Sequence, residues 1–281
     1  AGRRDGPPDL ATAVRVDGDP GQRLHIGPSE VAARLPLTVM TPVITALLLD
    51  VDDTLIDTRA AMVAAGAAAV AELWPETGAA QSQAAGAHFH RDPGGFFSRF
   101  TTGELDFTQM RAARLAELIE AFSLKTFDEV NQRFEDVYAP VFSTSLRLFA
   151  DVPPLVEAAT GAGILTGLLT NSGSRYTKEK LEITGLDGVF AVVATRDTLG
   201  FGKPDPRAFH HACELLGAEP GETMYVGDHI EIDAIAAKDA GLYAVWLQRG
   251  PVDGPDARLA QAHGIPVVSS LKSVVTLLVG D

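Results

Sequence analysis

A chain of 281 residues is long enough for one large α/β domain or for a core that carries an inserted second domain. With 46% hydrophobic and 21% charged residues it has the make-up of a globular protein, which excludes low-complexity and collagen-like architectures. Its formal net charge of −14 repels phosphodiester polymers and anionic bilayer surfaces, so neither nucleic acid nor membrane is expected as a partner.

Residues 1–40 hold five Gly and five Pro, and their five basic and five acidic residues cancel. They read as a flexible N-terminal extension, with a natural start expected near Met40. The apolar stretch 35–49 is interrupted by Pro36 and Pro42 and falls short of the roughly 20 residues a membrane-spanning helix needs. Cys213 is the only cysteine, which rules out an intrachain disulfide and a cysteine-built zinc site and fits a cytoplasmic location.

The first buried strand is expected at 46–49, where an alanine and three leucines run into Asp50. An alanine-rich helix follows at 59–74, and helical periodicity persists to about 150, clearest at 107–122 and 127–142. From 151 the pattern alternates. Helices are expected at 154–160, 178–184, 206–216 and 231–240, and strands at 164–170, 189–194, 223–226 and 242–247. A short strand at 266–268 and a helix at 271–278 close the chain. Such alternation predicts an α/β fold, a doubly wound Rossmann-like parallel sheet with helices on both faces. Its expected domains are a core of 41–57 and 151–281 and an inserted helical cap of 58–150.

Ligands of open parallel sheets bind beyond the carboxyl ends of the strands. Those ends carry Asp50 and Asp52, Thr170 and Asn171, and Asp228 with Asp233 five residues on, while Lys203 lies in the loop after another strand. Carboxylates are hard ligands suited to Mg2+. A carboxylate also serves as a nucleophile toward phosphorus, and a second one beside it moves protons to and from the departing and attacking oxygens. A lysine and a hydroxyl stabilise the phosphoryl oxygens.

In chain order, Asp50-Val51-Asp52-Asp53-Thr54, Leu168-Leu169-Thr170-Asn171-Ser172, Gly202-Lys203-Pro204-Asp205-Pro206 and the segment from Gly227-Asp228 to Asp233 resemble the four motifs of the haloacid dehalogenase-like (HAD) hydrolase superfamily. The resemblance covers about 45–278. It implies Asp50 as nucleophile, Asp52 as general acid/base, Thr170 as phosphate-binding hydroxyl with Asn171 beside it, and Lys203 as the charge-stabilising lysine. It further implies that Asp228 holds Mg2+ with Asp50 and the Asp52 carbonyl, Asp233 supporting the site. An insertion after the first strand is where the family places its helical cap. This position is that of the subgroup containing phosphoglycolate phosphatases, N-acylneuraminate-9-phosphatases, nucleotidases and sugar phosphomutases. Family dehalogenases lack an acid at the position of Asp52, which favours a phosphatase acting on a small phosphomonoester, as monomer or homodimer.

Other readings stay open beside these. Asp53 reads as a helix cap, and Asp233 serves either the metal or the helix that follows it. The rival functions are a sugar phosphomutase of the same fold and a non-catalytic phosphate-ligand-binding protein. His88, His90, His210 and His211 read as surface or cap residues. Arg91, Arg111 and Arg114 sit at the spacing of a solvated helical face, and Phe96, Phe97, Phe100 and Phe107 are expected in the cap's own core.

Overall fold

The computed structural model describes residues 43–279, so the extension of 1–40 and the start near Met40 lie outside the described residues. Strand β1 (Ala46–Leu49) consists of four fully buried aliphatic residues. Side chains alternate across a strand, so Leu47 and Leu49 enter the apolar layer on one face while Ala46 and Leu48 enter the layer on the other. A strand apolar on both faces belongs inside a covered sheet. It pairs in parallel with β2 (Leu165–Thr170) and with β4 (Thr223–Gly227), Leu48 facing Gly167 on one side and Tyr225 on the other. With β3 (Val192–Thr195), β5 (Tyr243–Leu247) and β6 (Val267–Val268) the sheet has six parallel strands in the order β3-β2-β1-β4-β5-β6. The chain winds outward from β1 in one direction and from β4 in the other. The topological switch point, where ligands of such sheets bind, therefore lies between β1 and β4.

Between β1 and β2 stand helices α1 (Thr58–Leu73), α2 (Gly78–Arg91), α3 (Phe96–Thr101), α4 (Phe107–Ala121) and α5 (Val130–Ser145). Asp57 starts α1 by accepting from Ala60 N, and Asp106 and Gln109 form a reciprocal capping box on α4. Helices α1 and α2 cross so tightly that a Cβ on Gly86 would stand 2.3 Å from the Val63 carbonyl oxygen, which explains the glycine. Trp74, Phe89, Leu115, Leu118, Phe134 and Tyr138 form a core among these helices. The chain leaves and re-enters the sheet region through a short antiparallel pairing, in which Asp57 N donates to Arg147 O at 2.9 Å and Phe149 N to Leu55 O at 3.0 Å.

After re-entry come α6 (Val152–Gly161), α7 (Ser174–Thr184), α8 (Arg196–Leu199), α9 (Pro206–Leu216), α10 (Ala236–Asp239), α11 (Gly254–Ala262) and α12 (Leu271–Val279). Helices α6, α7 and α12 cover one face of the sheet and α9 and α10 the other. Helix α7 starts four residues before the expected 178, because the Asp197 carboxylate accepts from Ser174 N and Oγ and caps it from another element. Burial works against that carboxyl's ionisation, but these donors with Thr195 Oγ1 outweigh it and lower its pKa to about 2. Strand β3 begins at Val192 rather than 189, since Val189 N closes a turn on Leu186 O. The helix expected at 231–240 opens instead as a π-helical turn, Ile230–Ile235, before α10. Among the described residues no helix is long and apolar enough to cross a membrane.

Two expectations for the insertion are corrected. Arg114 is buried, donating to the Phe89 and His90 carbonyls at the end of α2, and Arg111 pairs with Glu135 at 2.8 Å and stacks on Phe89 and Tyr138. Neither belongs to a solvated face. Phe96, Phe97, Phe100 and Phe107 lie outside the insertion's buried cluster; Phe107 meets Tyr176 of α7 at 4.9 Å between ring centroids, and Arg196 of α8 lies over Phe100 at 5.0 Å. Three of them lie on α3 and Phe107 opens α4, and Phe100 and Phe107 turn toward α8 and α7 instead of inward.

Candidate active site

Asp50 follows the last residue of β1, so the strand's burial carries the carboxylate into a nearly dry position, 5% exposed. An ion there needs a partner. Lys203 supplies it: its Nζ donates to Asp50 Oδ1 at 2.6 Å, to Asp233 Oδ1 at 2.7 Å and to the Tyr225 hydroxyl at 2.9 Å. Tyr225 in turn donates to Asp233 Oδ1 at 2.8 Å. The lysine's own loop is held by Asn171, whose Nδ2 donates to Lys203 O and whose Oδ1 accepts from Lys203 N, both at 2.8 Å. Both ends of the Asn171 amide are thus engaged with the backbone of Lys203. Burial disfavours a charged Lys203, yet Asp233 and Asp50 outweigh it and raise the ammonium's pKa.

Asp228 follows β4 on the other side of the switch point. Asp50, Asp228 and Asp233 each offer a carboxylate oxygen within 4.8 Å of the others. Asp233 is aimed by the π-helical turn: its Oδ2 accepts from His229 N at 3.0 Å while Oδ1 faces Lys203 and Tyr225. It therefore combines a backbone bond that reaches back to His229 with membership of the cluster; the helix that follows, α10, begins with no side-chain cap bond. Gly227 makes room for it, since a Cβ there would lie 2.4 Å from the Asp233 carboxyl carbon. Three carboxylates beside one ammonium leave an excess of negative charge. Burial and the neighbouring carboxylates Asp50, Asp233 and Asp53 push Asp228 up to about 9, against Lys203. Burial likewise raises Asp50 to about 7, with Lys203 pulling down and Asp233 and Asp52 pushing up. Hard oxygen donors with unbalanced negative charge fit a small divalent cation.

Asp52 stands apart from this cluster in its partners. Lys180 Nζ donates to its Oδ1 at 2.6 Å and its Oδ2 at 2.7 Å, and Thr58 Oγ1 donates to Oδ1 at 2.6 Å. Burial pushes this carboxyl up, but the Lys180 charge and hydrogen bonds and the Thr58 bond prevail and hold it below its ordinary value. Thr170, 1% exposed, ends β2, and its Oγ1 accepts from Ser172 N at 3.1 Å. Asp53 sits at φ 59° and accepts from Arg59 N at 2.7 Å, the capping bond expected of it. Of the histidines, His90 lies 3.9 Å from Asp53, His211 pairs with Glu214 and His210 bonds Ala240 O.

Lys180 and Tyr225 escaped the reading of the sequence. Lys180 hides in the charged run Lys178-Glu179-Lys180, although its spacing from Thr177 and Leu181 puts all three on the buried face of α7. Tyr225 lies in a fully buried strand, paired in register with Leu48 two residues before Asp50.

A doubly wound parallel sheet with carboxylates and a lysine gathered at its switch point is an enzyme architecture. The chain belongs to the haloacid dehalogenase-like hydrolase family, whose model matches residues 44–241. Among curated relatives, a phosphoserine phosphatase of Thermus thermophilus is 28% identical over 246 residues, 80% of this chain and 99% of that protein. A phosphoglycolate phosphatase of Thiobacillus denitrificans is 28% identical over 198 residues, 70% of this chain and 80% of its own length. An N-acylneuraminate-9-phosphatase of Rattus norvegicus is 33% identical over 104 residues, 37% of each chain. Among solved structures, a dehalogenase with an intermediate complex superposes with a TM-score of 0.66 at 21% identity, over 85% of this chain and 99% of that one. The HAD hydrolase YfnB of Bacillus subtilis, bound to magnesium, gives 0.63 at 20% identity over 84% and 99%. These structural likenesses extend to the fold.

Proposed function

We propose that this protein is a Mg2+-dependent phosphatase that hydrolyses a small phosphomonoester through an aspartyl-phosphate at Asp50. The observation that carries the reading is the buried carboxylate of Asp50 at the switch point, held by Lys203 and grouped with Asp228 and Asp233. Its reaction class, phosphoric monoester hydrolysis, is that named for its curated relatives.

In the first half-reaction an Asp50 carboxylate oxygen attacks phosphorus, the ester P–O bond breaks, and the leaving oxygen takes a proton from Asp52. In the second half a water oxygen attacks the phosphorus of the aspartyl-phosphate and gives its proton to Asp52. The bond between Asp50 and phosphorus then breaks and inorganic phosphate departs. Lys203 neutralises the negative charge around Asp50 throughout, and Thr170 offers its hydroxyl to a phosphoryl oxygen. Asn171 fixes the Lys203 loop. Mg2+, which Asp50, Asp228 and Asp233 with the Asp52 carbonyl would hold, supplies further charge neutralisation to the phosphoryl oxygens. Residues 58–150 act as a cap over this edge of the sheet. The single cysteine, buried and free, is consistent with a cytoplasmic enzyme.

The test is phosphate release from O-phosphoserine, 2-phosphoglycolate, sugar phosphates and nucleoside monophosphates, with Mg2+ and with chelator. The first two lead the panel because relatives are named for them. Mg2+-dependent release is expected, and Asp50→Asn is expected to lower kcat by a factor on the order of 10³–10⁴ while the protein stays folded. No release of phosphate by the folded protein would overturn the reading in favour of the phosphomutase or the non-catalytic binding protein.

A further inference from the structure

We propose that Lys180 is the positioning residue of Asp52, and that it leaves Oδ2 as the oxygen that carries the proton; this rests on the acid/base role just proposed for Asp52. Lys180 projects from the buried face of α7 and is 5% exposed. An ammonium has three N–H donors. All three have partners here, two on the Asp52 oxygens and one on Ser172 Oγ at 3.2 Å. A lysine so engaged has no donor left for a phosphoryl oxygen, so it acts through Asp52 and not on the substrate. Lys203 is the contrasting case, since its partners are the carboxylates of the nucleophile cluster itself.

Each carboxylate oxygen offers about two lone-pair sites. Asp52 Oδ1 accepts from both Lys180 and Thr58, which fills it, whereas among the described residues Oδ2 accepts from Lys180 alone. The free site on Oδ2 is where a proton is taken up once an anionic phosphoryl group lies beside Asp52 and offsets the pull of Lys180. As the ester P–O bond breaks, its electron pair goes to the leaving oxygen and the proton on Oδ2 follows it. In the second half-reaction Oδ2 takes a proton from the attacking water. The donors on the carboxylate come from two separate elements, Lys180 from α7 and Thr58 from the first position of α1. Asp52 follows a strand end in a loop, and without these donors its carboxylate would be free to rotate.

The experiment compares kcat/KM for 4-nitrophenyl phosphate, whose leaving group departs as an anion, with that for phenyl phosphate, whose leaving group needs a proton. Asp52→Asn serves as reference, and circular dichroism and Tm verify folding. Lys180→Met is expected to reduce kcat/KM for phenyl phosphate roughly 10-fold more than for the nitrophenyl ester, part of the 10²–10⁴-fold that a positioned acid supplies. Lys180→Arg, which also presents two donors to a carboxylate, is expected to restore part of that difference. Should Lys180→Met fail to fold, Lys180→Gln carries the same comparison. Equal losses on both esters, or no loss, overturn the inference. If Asp52→Asn itself gives no leaving-group difference, the acid/base reading falls first; if Asp52→Asn gives one and the Lys180 variants do not, the assignment of Lys180 alone is wrong.

Discussion

At the scale of single residues, the site is an arrangement of charges that burial makes costly and neighbours make tolerable. Lys203 compensates Asp50 and Asp233 directly, while among the described residues Asp228 has no hydrogen-bonded cation and is pushed up to about 9. This asymmetry makes Asp228 the residue through which a bound cation acts most strongly on stability. In chelator, Asp228→Asn is expected to raise stability at neutral pH by an amount on the order of 1 kcal/mol, because a carboxyl whose pKa is pushed up in the fold must take up a proton to fold, and the amide need not. In wild type, added Mg2+ is expected to raise Tm, and the variant is expected to lose most of that rise. Thermal melts with and without Mg2+ check both, and an equal Mg2+ shift in the variant would remove Asp228 from the cation site. The acids themselves were legible because they stand two to five residues apart directly after strands. Lys180 was not, because its partner Asp52 lies 128 positions away and only the packing of α7 brings them together.

At the scale of elements, the re-entry of the chain at α6 is fixed by one carboxylate. Asp151 accepts from Arg249 at 2.9 Å and 3.0 Å, from Ser270 Oγ at 2.8 Å and from Leu271 N at 2.9 Å, so it ties the start of α12 to the end of the insertion. Burial opposes its ionisation, but these donors win and hold its pKa below the ordinary carboxylate value. A carboxyl depressed in the fold stabilises fully above its unfolded pKa and loses that contribution as pH falls through its folded pKa. Asp151→Asn is therefore expected to lower stability by about 2 kcal/mol at pH 7. The gap to wild type should shrink below about pH 4, near the unfolded carboxylate value. Denaturant midpoints at pH 7 and pH 3 test this, and a gap that widens in acid would contradict it. Elements with strong local signals were legible. The elements that shifted were set by particular side-chain and turn bonds, distant in the case of Asp197, which begins α7 early, and local in the case of the Asp233 and His229 bonds that accompany the π-helical turn where a regular helix was expected. The phenylalanines at 96–107 show a further limit, since an apolar cluster in the sequence does not tell which neighbour covers it.

At the scale of the whole molecule, the parallel sheet does the gathering. Residues from position 50 to position 233 reach one edge because β1 and β4 lie side by side and the connections diverge from them. The insertion meets that edge from several sides, through Thr58 on Asp52, through His90 near Asp53 and through the Phe107–Tyr176 and Arg196–Phe100 contacts. An acidic chain accommodates an anionic substrate when the local field is reversed. On the proposed reading, Lys203 and a cation held by the three carboxylates would do this at the switch point.

On the proposed reading Asp50 accepts the phosphoryl group. The most direct test is acid quenching of the Asp52→Asn enzyme during turnover of a substrate with a good leaving group, followed by mass spectrometry of its peptides. Loss of the base that activates water is expected to let the intermediate accumulate, and the account predicts one phosphoryl group on the peptide containing Asp50 and absent after Asp50→Asn. Turnover with no phosphorylated peptide at any quench time, or a phosphoryl group on another residue, would contradict it.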